Sequence, residues 1–160
     1  MATPLNKTIL DEIDARLKKI VIADGSSNTI VTVKRARLEP FKGHDLPAVN
    51  YWPTQMSNAM NQYGNDTREL MLVVEAHTKT RDEPFVDVCD RLAADIVTVL
   101  NRKTTASKVS DPLSADLGGI VDNFTCTNYV YQIGQGQDPF CGIILTFAIQ
   151  FSTTITKMYS

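Results

Sequence analysis

The chain is poor in the residues from which most catalytic and metal sites are built. Histidine occurs only as His44 and His77, and cysteine only as Cys89, Cys126 and Cys141. No two cysteines form a CxxC pair, so the spacing indicates neither a zinc site nor a redox motif. Their odd number, wide separation and apolar or β-forming neighbours predict three buried, inert thiols that pack as small hydrophobes. Long apolar runs are missing too: nothing approaches the roughly 18–20 uninterrupted residues that a membrane-spanning helix needs. The opening Met1-Ala2-Thr3-Pro4-Leu5-Asn6-Lys7 lacks the charged start, apolar centre and small-residue cleavage site of a signal peptide, which predicts a protein made and kept in a cytoplasm. A basic excess is also absent. Lys and Arg total 16 against 18 Asp and Glu, a formal net charge of −2, so there is no electrostatic footprint for gripping nucleic acid. That balance suits a surface that nucleic acid passes without sticking. No internal repeat, linker or low-complexity tract divides the sequence. Its 160 residues predict a single domain, 1–160, large enough to form a core without disulfide or metal staples.

What the sequence does contain is a clear succession of elements. Thr3 can cap a helix that Pro4 opens, and Leu5, Ile9, Ile13, Leu17 and Ile20 recur at three- and four-residue spacing until Asp24-Gly25-Ser26-Ser27 stops the pattern. Residues 29–38 are β-branched and turn basic through Lys34, Arg35 and Arg37, which reads as a strand. Alternation along it would put Arg35 and Arg37 on one face and Lys34 on the other. A proline-framed apolar segment at 46–53 reads as a strand at an edge or end, because proline cannot donate to the ladder. Residues 54–67 are polar without a period and read as a long loop. Leu70-Met71-Leu72-Val73-Val74 is apolar at consecutive positions, which predicts a central strand over 69–78 with both faces covered.

A second helix follows. Thr80 or Asp82 can cap it and Pro84 begins it. Phe85, Val88, Cys89, Leu92, Ile96, Val99 and Leu100 form one stripe, with Asp87, Asp90, Arg91 and Asp95 opposite on a solvated face. A polar loop over 101–116 leads to two closing strands, 119–133 and 140–154, joined by the hairpin connection Gly134-Gln135-Gly136-Gln137-Asp138-Pro139. The last strand carries an almost unbroken apolar run and is also expected to be buried on both faces. The order α-β-β-β-α-β-β predicts an α+β fold: a mainly antiparallel sheet of about five strands with both helices packed on one face.

A search for chemistry along these elements finds none. The serines lie in polar loops without a strand–turn–helix elbow, the two histidines have no partner at a useful spacing, and the paired carboxylates of the second helix sit on its solvated face. The only glycine-rich stretch joins two strands and lacks the helix N-terminus that phosphate cradling needs. The chain is therefore expected to be a non-enzymatic structural subunit without cofactor or metal. Lys34, Arg35 and Arg37 are candidates for contact with acidic groups of a neighbouring subunit, where arginine supplies directional hydrogen bonds. Gln62 and Tyr63 in the first long loop, and Arg102 and Lys103 in the second, complete the set of candidate contacts.

Taken together the segments resemble the tail terminator proteins of long-tailed bacteriophages. The resemblance lies in element order and local texture: an Ile9-Leu10-Asp11 helix, a Val33-Lys34-Arg35-Ala36-Arg37 strand, and the Leu46-Pro47-Ala48-Val49 segment. Leu70-Met71-Leu72-Val73-Val74-Glu75 then leads into the amphipathic helix, and a long hairpin ends in Phe147-Ala148-Ile149-Gln150-Phe151. It covers nearly the whole chain. The resemblance implies a homo-oligomeric ring, commonly hexameric, that caps the tail tube at its final length. Its partners would be the tail tube protein and the head connector or stopper, with DNA passing through the lumen without specific binding and no membrane involved. It also implies a place at the head–tail junction of the virion, after assembly in the host cytoplasm. The long loops at 54–67 and 101–116 would then face ring neighbours, tube or connector. One rival is another neck or tail-completion subunit. A rival of a different class is a small ligand-binding α+β domain, which a concave pocket lined by His44, His77 or Asp45 would favour.

Overall fold

The two richest apolar segments of the chain pair with each other, and the rest of the molecule is arranged around that pair. The computed structural model describes residues 5–60, 65–80, 82–107, 111–133 and 140–154. Its elements are α1 (Leu5–Leu17), β1 (Thr32–Arg35), β2 (Ala48–Met60), β3 (Asn65–Lys79), α2 (Phe85–Leu100), β4 (Asn123–Ile133) and β5 (Phe140–Thr154), with short 3-10 turns at Ile22–Asp24 and Gly43–Asp45. They form the α+β fold expected: one five-stranded sheet in the order β1-β2-β3-β5-β4. Every pairing is antiparallel except β1 with β2. The β3–β5 ladder runs without a shift from Asn65↔Thr154 to Lys79↔Phe140.

Alternation decides which residues enter the core. Leu70, Leu72, Val74 and Ala76 on β3, and Ile143, Leu145, Phe147, Ile149 and Phe151 on β5, point to one face and are buried in one cluster with Ile9, Ile13 and Leu17 of α1 and Leu92, Ile96 and Val99 of α2. Both helices therefore cover the same face. Each large side chain so buried contributes on the order of 1.5–3 kcal/mol. Arg16, itself buried, ties α1 to the end of α2. Its Nε donates to Glu12 at 2.7 Å and its Nη1 to the carbonyls of Leu100 (3.2 Å) and Arg102, where a cation complements the helix dipole.

Several expectations need correction. The alternate residues of β3 and β5, among them Met71, Val73, Ile144, Thr146 and Ala148, are only half-buried, so neither strand is covered on both faces. Two helices cover one face of the five-stranded sheet, and among the described residues no helix covers the second. Residues 54–60 and 65–67 belong to β2 and β3, not to a loop: β3 holds β2 through pairs such as Met56↔Leu70 and Asn58↔Arg68 despite a shift between Pro53 and Gln55. Strand formation there is imposed by the neighbouring ladder, which overrides a weak local signal. β1 is shorter than the predicted 29–38, because Ala36 adopts φ 53° and turns the chain out of extended geometry. Helix α1 stops at Leu17, where the N–H groups of Lys19 and Ile20 bond three residues back and tighten the last turn. Thr3 and the 134–139 connection lie outside the described residues. Pro84 is the residue before the first turn of α2, and no side chain caps that helix.

Asp95 is the sharpest departure, since it is buried and not solvated. Its Oδ1 accepts the Ser27 N–H, and its Oδ2 accepts both the backbone N–H and the side-chain amide of Asn28, all at 2.9 Å. The carboxylate thereby clamps the 25–29 turn onto α2. Hydrogen bonds to a charged acceptor are worth about 1.5–3 kcal/mol each. Asp95→Ala is predicted to lower the unfolding free energy by about 2–4 kcal/mol, and Asp95→Asn by less. Urea denaturation checks this, and an unchanged midpoint in both variants would contradict it.

Candidate functional site

The basic residues of β1 and its exit do not form one patch. Lys34 is exposed. Arg35 turns toward α1: its Nε donates to the Tyr51 hydroxyl at 2.9 Å and its Nη2 to Asp11 at 2.8 Å, and its guanidinium lies 5.6 Å from the Tyr51 ring. Tyr51 in turn donates to Asp14 at 2.9 Å, and burial, reinforced by that carboxylate, pushes its hydroxyl up to about 12. Arg37 goes to the opposite, open face of the sheet. There it donates to the carbonyls of Glu39 (3.0 Å) and Pro40 (3.3 Å) and stacks over Phe41, while its backbone N–H bonds the Asn50 side chain. The expected pairing of Arg35 and Arg37 on one face fails because the left-handed Ala36 between them breaks the alternation. Both guanidinium groups are held within the chain.

The second basic pair also separates. Lys103 is exposed, whereas Arg102 is 1% accessible and is no surface contact. An isolated bridge between Arg102 and Leu113 closes the turn at that point, and three guanidinium nitrogens of Arg102 are buried without a hydrogen-bond partner among the described residues. Gln62 and Tyr63 lie outside the described residues.

Each histidine lies beside a carboxylate close to it in the sequence. His44 is exposed beside Asp45, at 3.5 Å. His77 is 2.8 Å from Glu75, and its ring lies tilted beside Phe41 with centroids 6.1 Å apart. The hydrogen bond from His77 holds the Glu75 carboxyl below the usual carboxylate range. The His77 ring also packs over Gly142, where a Cβ would fall 2.7 Å from its Nδ1 and 2.9 Å from the Ala76 carbonyl. A cavity of about 350 Å³ opens here on the uncovered face, lined by Arg37, Phe41, Asn50, Glu75, His77 and Phe140 among others. His44 and Asp45 do not line it. Among the described residues no group of three or more His, Cys, Asp or Glu side chains could hold a metal ion. Cys89 and Cys141 are buried and Cys126 is half-exposed, which corrects the expectation of three buried thiols. Burial raises all three thiols, Cys89 to about 12, so they stay protonated at neutral pH.

Sequence reasoning expected an edge or strand end at 46–53, but residues 48–51 are paired on both sides; the edges it missed are β4 and the part of β2 beyond Pro53. β4 is an outer strand and exposes Tyr129, Val130, Tyr131 and Ile133 at 45–62%. On the other side β1 pairs only with residues 48–51 of β2, so β2 beyond Pro53 is an edge as well, and residues 53–59 are exposed. Neither Ala48–Met60 nor Asn123–Ile133 contains a charged residue. That absence was readable in the sequence; charge is one means of blunting an edge, alongside the irregularities that both strands carry at 53–55 and 126–128.

A scan of protein-family models finds no match, and no curated protein is significantly similar in sequence. Among solved structures the chain superposes on a chain of the virion of a native gene transfer agent particle. The TM-score is 0.54 and the identity 14%, covering 91% of this chain and 92% of that one. What the two share is the fold, over nearly their full lengths.

Arg102→Met removes these buried, unpartnered nitrogens and is predicted to raise the unfolding free energy by about 1–3 kcal/mol. Guanidinium chloride denaturation of both proteins checks this; a marked loss of stability would show that the guanidinium has a partner.

Proposed function

We propose that the chain is a non-enzymatic structural subunit of a phage-like virion and, within that class, a tail terminator. It assembles into a ring that caps the tail tube at its final length and offers a docking surface to the head connector. The observation that carries this reading is the whole-length fold match to a virion chain, taken as analogy of fold and joined to the element order and texture set out above. Two further features support it. One outer strand, β4, and the part of β2 that β1 leaves unpaired carry no charged residue, and charge is one of the means by which a monomer protects an edge. The net charge of −2 suits a lumen through which DNA slides without being held. A neck or tail-completion subunit would share these features and differ in which surface meets the tube.

One observation favours a second reading, a small ligand-binding domain: the cavity beside His77 and Glu75. Its polar groups are already engaged with one another, Glu75 by His77 and Arg37 by backbone carbonyls, which leaves few convergent groups to fix a ligand.

The test is the mass of the purified protein in solution, followed by negative-stain electron microscopy with and without tail tubes. Rings, or monomers that become caps on tube ends, are the expected result. A monomer that stays monomeric and ignores tubes would contradict the assembly reading, and a small molecule bound beside His77 would then support the second.

A further inference from the structure

We infer that copies of this chain join head to tail by sheet extension, β4 of one copy pairing with the free part of β2 of the next. The inference rests on the self-assembly reading above and names the surfaces that carry it. β3 and β4 run in one direction, and β2 and β5 in the other. A second copy in the same orientation, placed beside β4, therefore presents its β2 antiparallel to that strand, and the sheet continues in unbroken antiparallel order. The operation repeats from copy to copy, which is the heterologous geometry that closes into rings.

Register limits where the strands meet. Pairs across the sheet put residues 129–132 of β4 level with residues 48–51 of β2, the stretch that β1 already occupies. The incoming β4 must slide toward the β2–β3 hairpin, bringing Tyr129, Val130 and Tyr131 beside residues 54–60 and clear of β1. A stagger of this kind is what closing a sheet into a barrel requires. Pro53, which has no N–H to donate, marks the end of the usable edge.

Side-chain chemistry fits the same placement. Tyr129 and Tyr131 stand on the helix side of β4, opposite Leu145 and Ile143, and are half exposed. The helix side of the β2 edge carries Met56 and a groove of about 260 Å³ between α1 and β2, lined by Asn6, Leu10, Pro53, Met56 and Leu70 among others. An exposed tyrosine on one edge thus faces a groove of mixed polar and apolar lining on the other, where the Met56 sulfur, 3.7 Å from Asn6 Nδ2, is a favourable partner for an aromatic ring. Tyrosine supplies large contact area at interfaces, with a hydroxyl that tolerates water. Neither strand brings a charge to be desolvated.

Edge lysines test this directly. Val130→Lys blocks β4 and Ser57→Lys blocks β2; Tyr129→Ser, at an exposed position, weakens the anchor without threatening the fold. Circular dichroism verifies folding, and native mass spectrometry with sedimentation velocity reads the assembly. Each lysine variant alone is expected to be monomeric, and an equimolar mixture to form heterodimers and nothing larger, because one good edge survives on each. Tyr129→Ser is expected to raise the concentration for half-assembly at least tenfold. A Ser57→Lys protein that still self-associates would mean β4–β4 pairing and overturn the inference. So would lysine variants that assemble like wild type, or monomers that fail to combine on mixing. In those cases the self-assembly reading survives. A wild-type chain that is monomeric at every concentration and on tail tubes overturns both.

Discussion

The antiparallel ladder between β3 and β5 is the constraint on which the rest of this structure depends. Fifteen residues of one strand face fifteen of the other without a bulge, so the alternation of each is locked to that of its partner. A one-residue slip would turn Leu72, Val74, Leu145 and Phe147 out of the core together. With that register set, the apolar stripes of α1 and α2 have one surface to bury against, and they take it side by side. β2 is then held to β3 even where its own residues carry little strand preference, and β4 is held to β5.

The same constraint explains what is left exposed. Two helices cover one face, and the other keeps half-buried Met71, Val73, Ile144 and Ala148. The sheet also ends abruptly on both sides, in β4 and in the part of β2 beyond β1. β4 on one side and the stretch of β2 past β1 on the other carry no charge, and the proposed sheet extension would join them; that pair of edges links the fold to the proposed role in a virion more firmly than any single side chain does.

The α+β class, the order of elements and the stripes of both helices were legible in the sequence, because periodicity at 3.6 residues and the turn residues around Gly25 and Pro84 report local geometry directly. Residues 54–60 were not legible: nothing in Thr-Gln-Met-Ser-Asn-Ala-Met demands extension, and the ladder that imposes it comes from residues next to them only in space. Consecutive apolar residues in β3 and β5 suggested two covered faces, yet the chain has helices for one. Asp95 looked solvated because helical periodicity cannot see the 25–29 turn docked against it, and Arg102 looked exposed because polar neighbours concealed the bridge to Leu113. Of the candidate contacts, Lys34 and Lys103 are at the surface and Arg35 and Arg37 are engaged within the chain, while which strands lie at an edge depends on a sheet order that local sequence does not report.

The proposed place of this chain is in a particle, at the end of its tail tube. Immunogold labelling of particles purified from cells that produce this protein tests that most directly. The account predicts label on intact particles, confined to the junction of head and tail. Particles without label, with the protein recovered only from the soluble fraction, would contradict it.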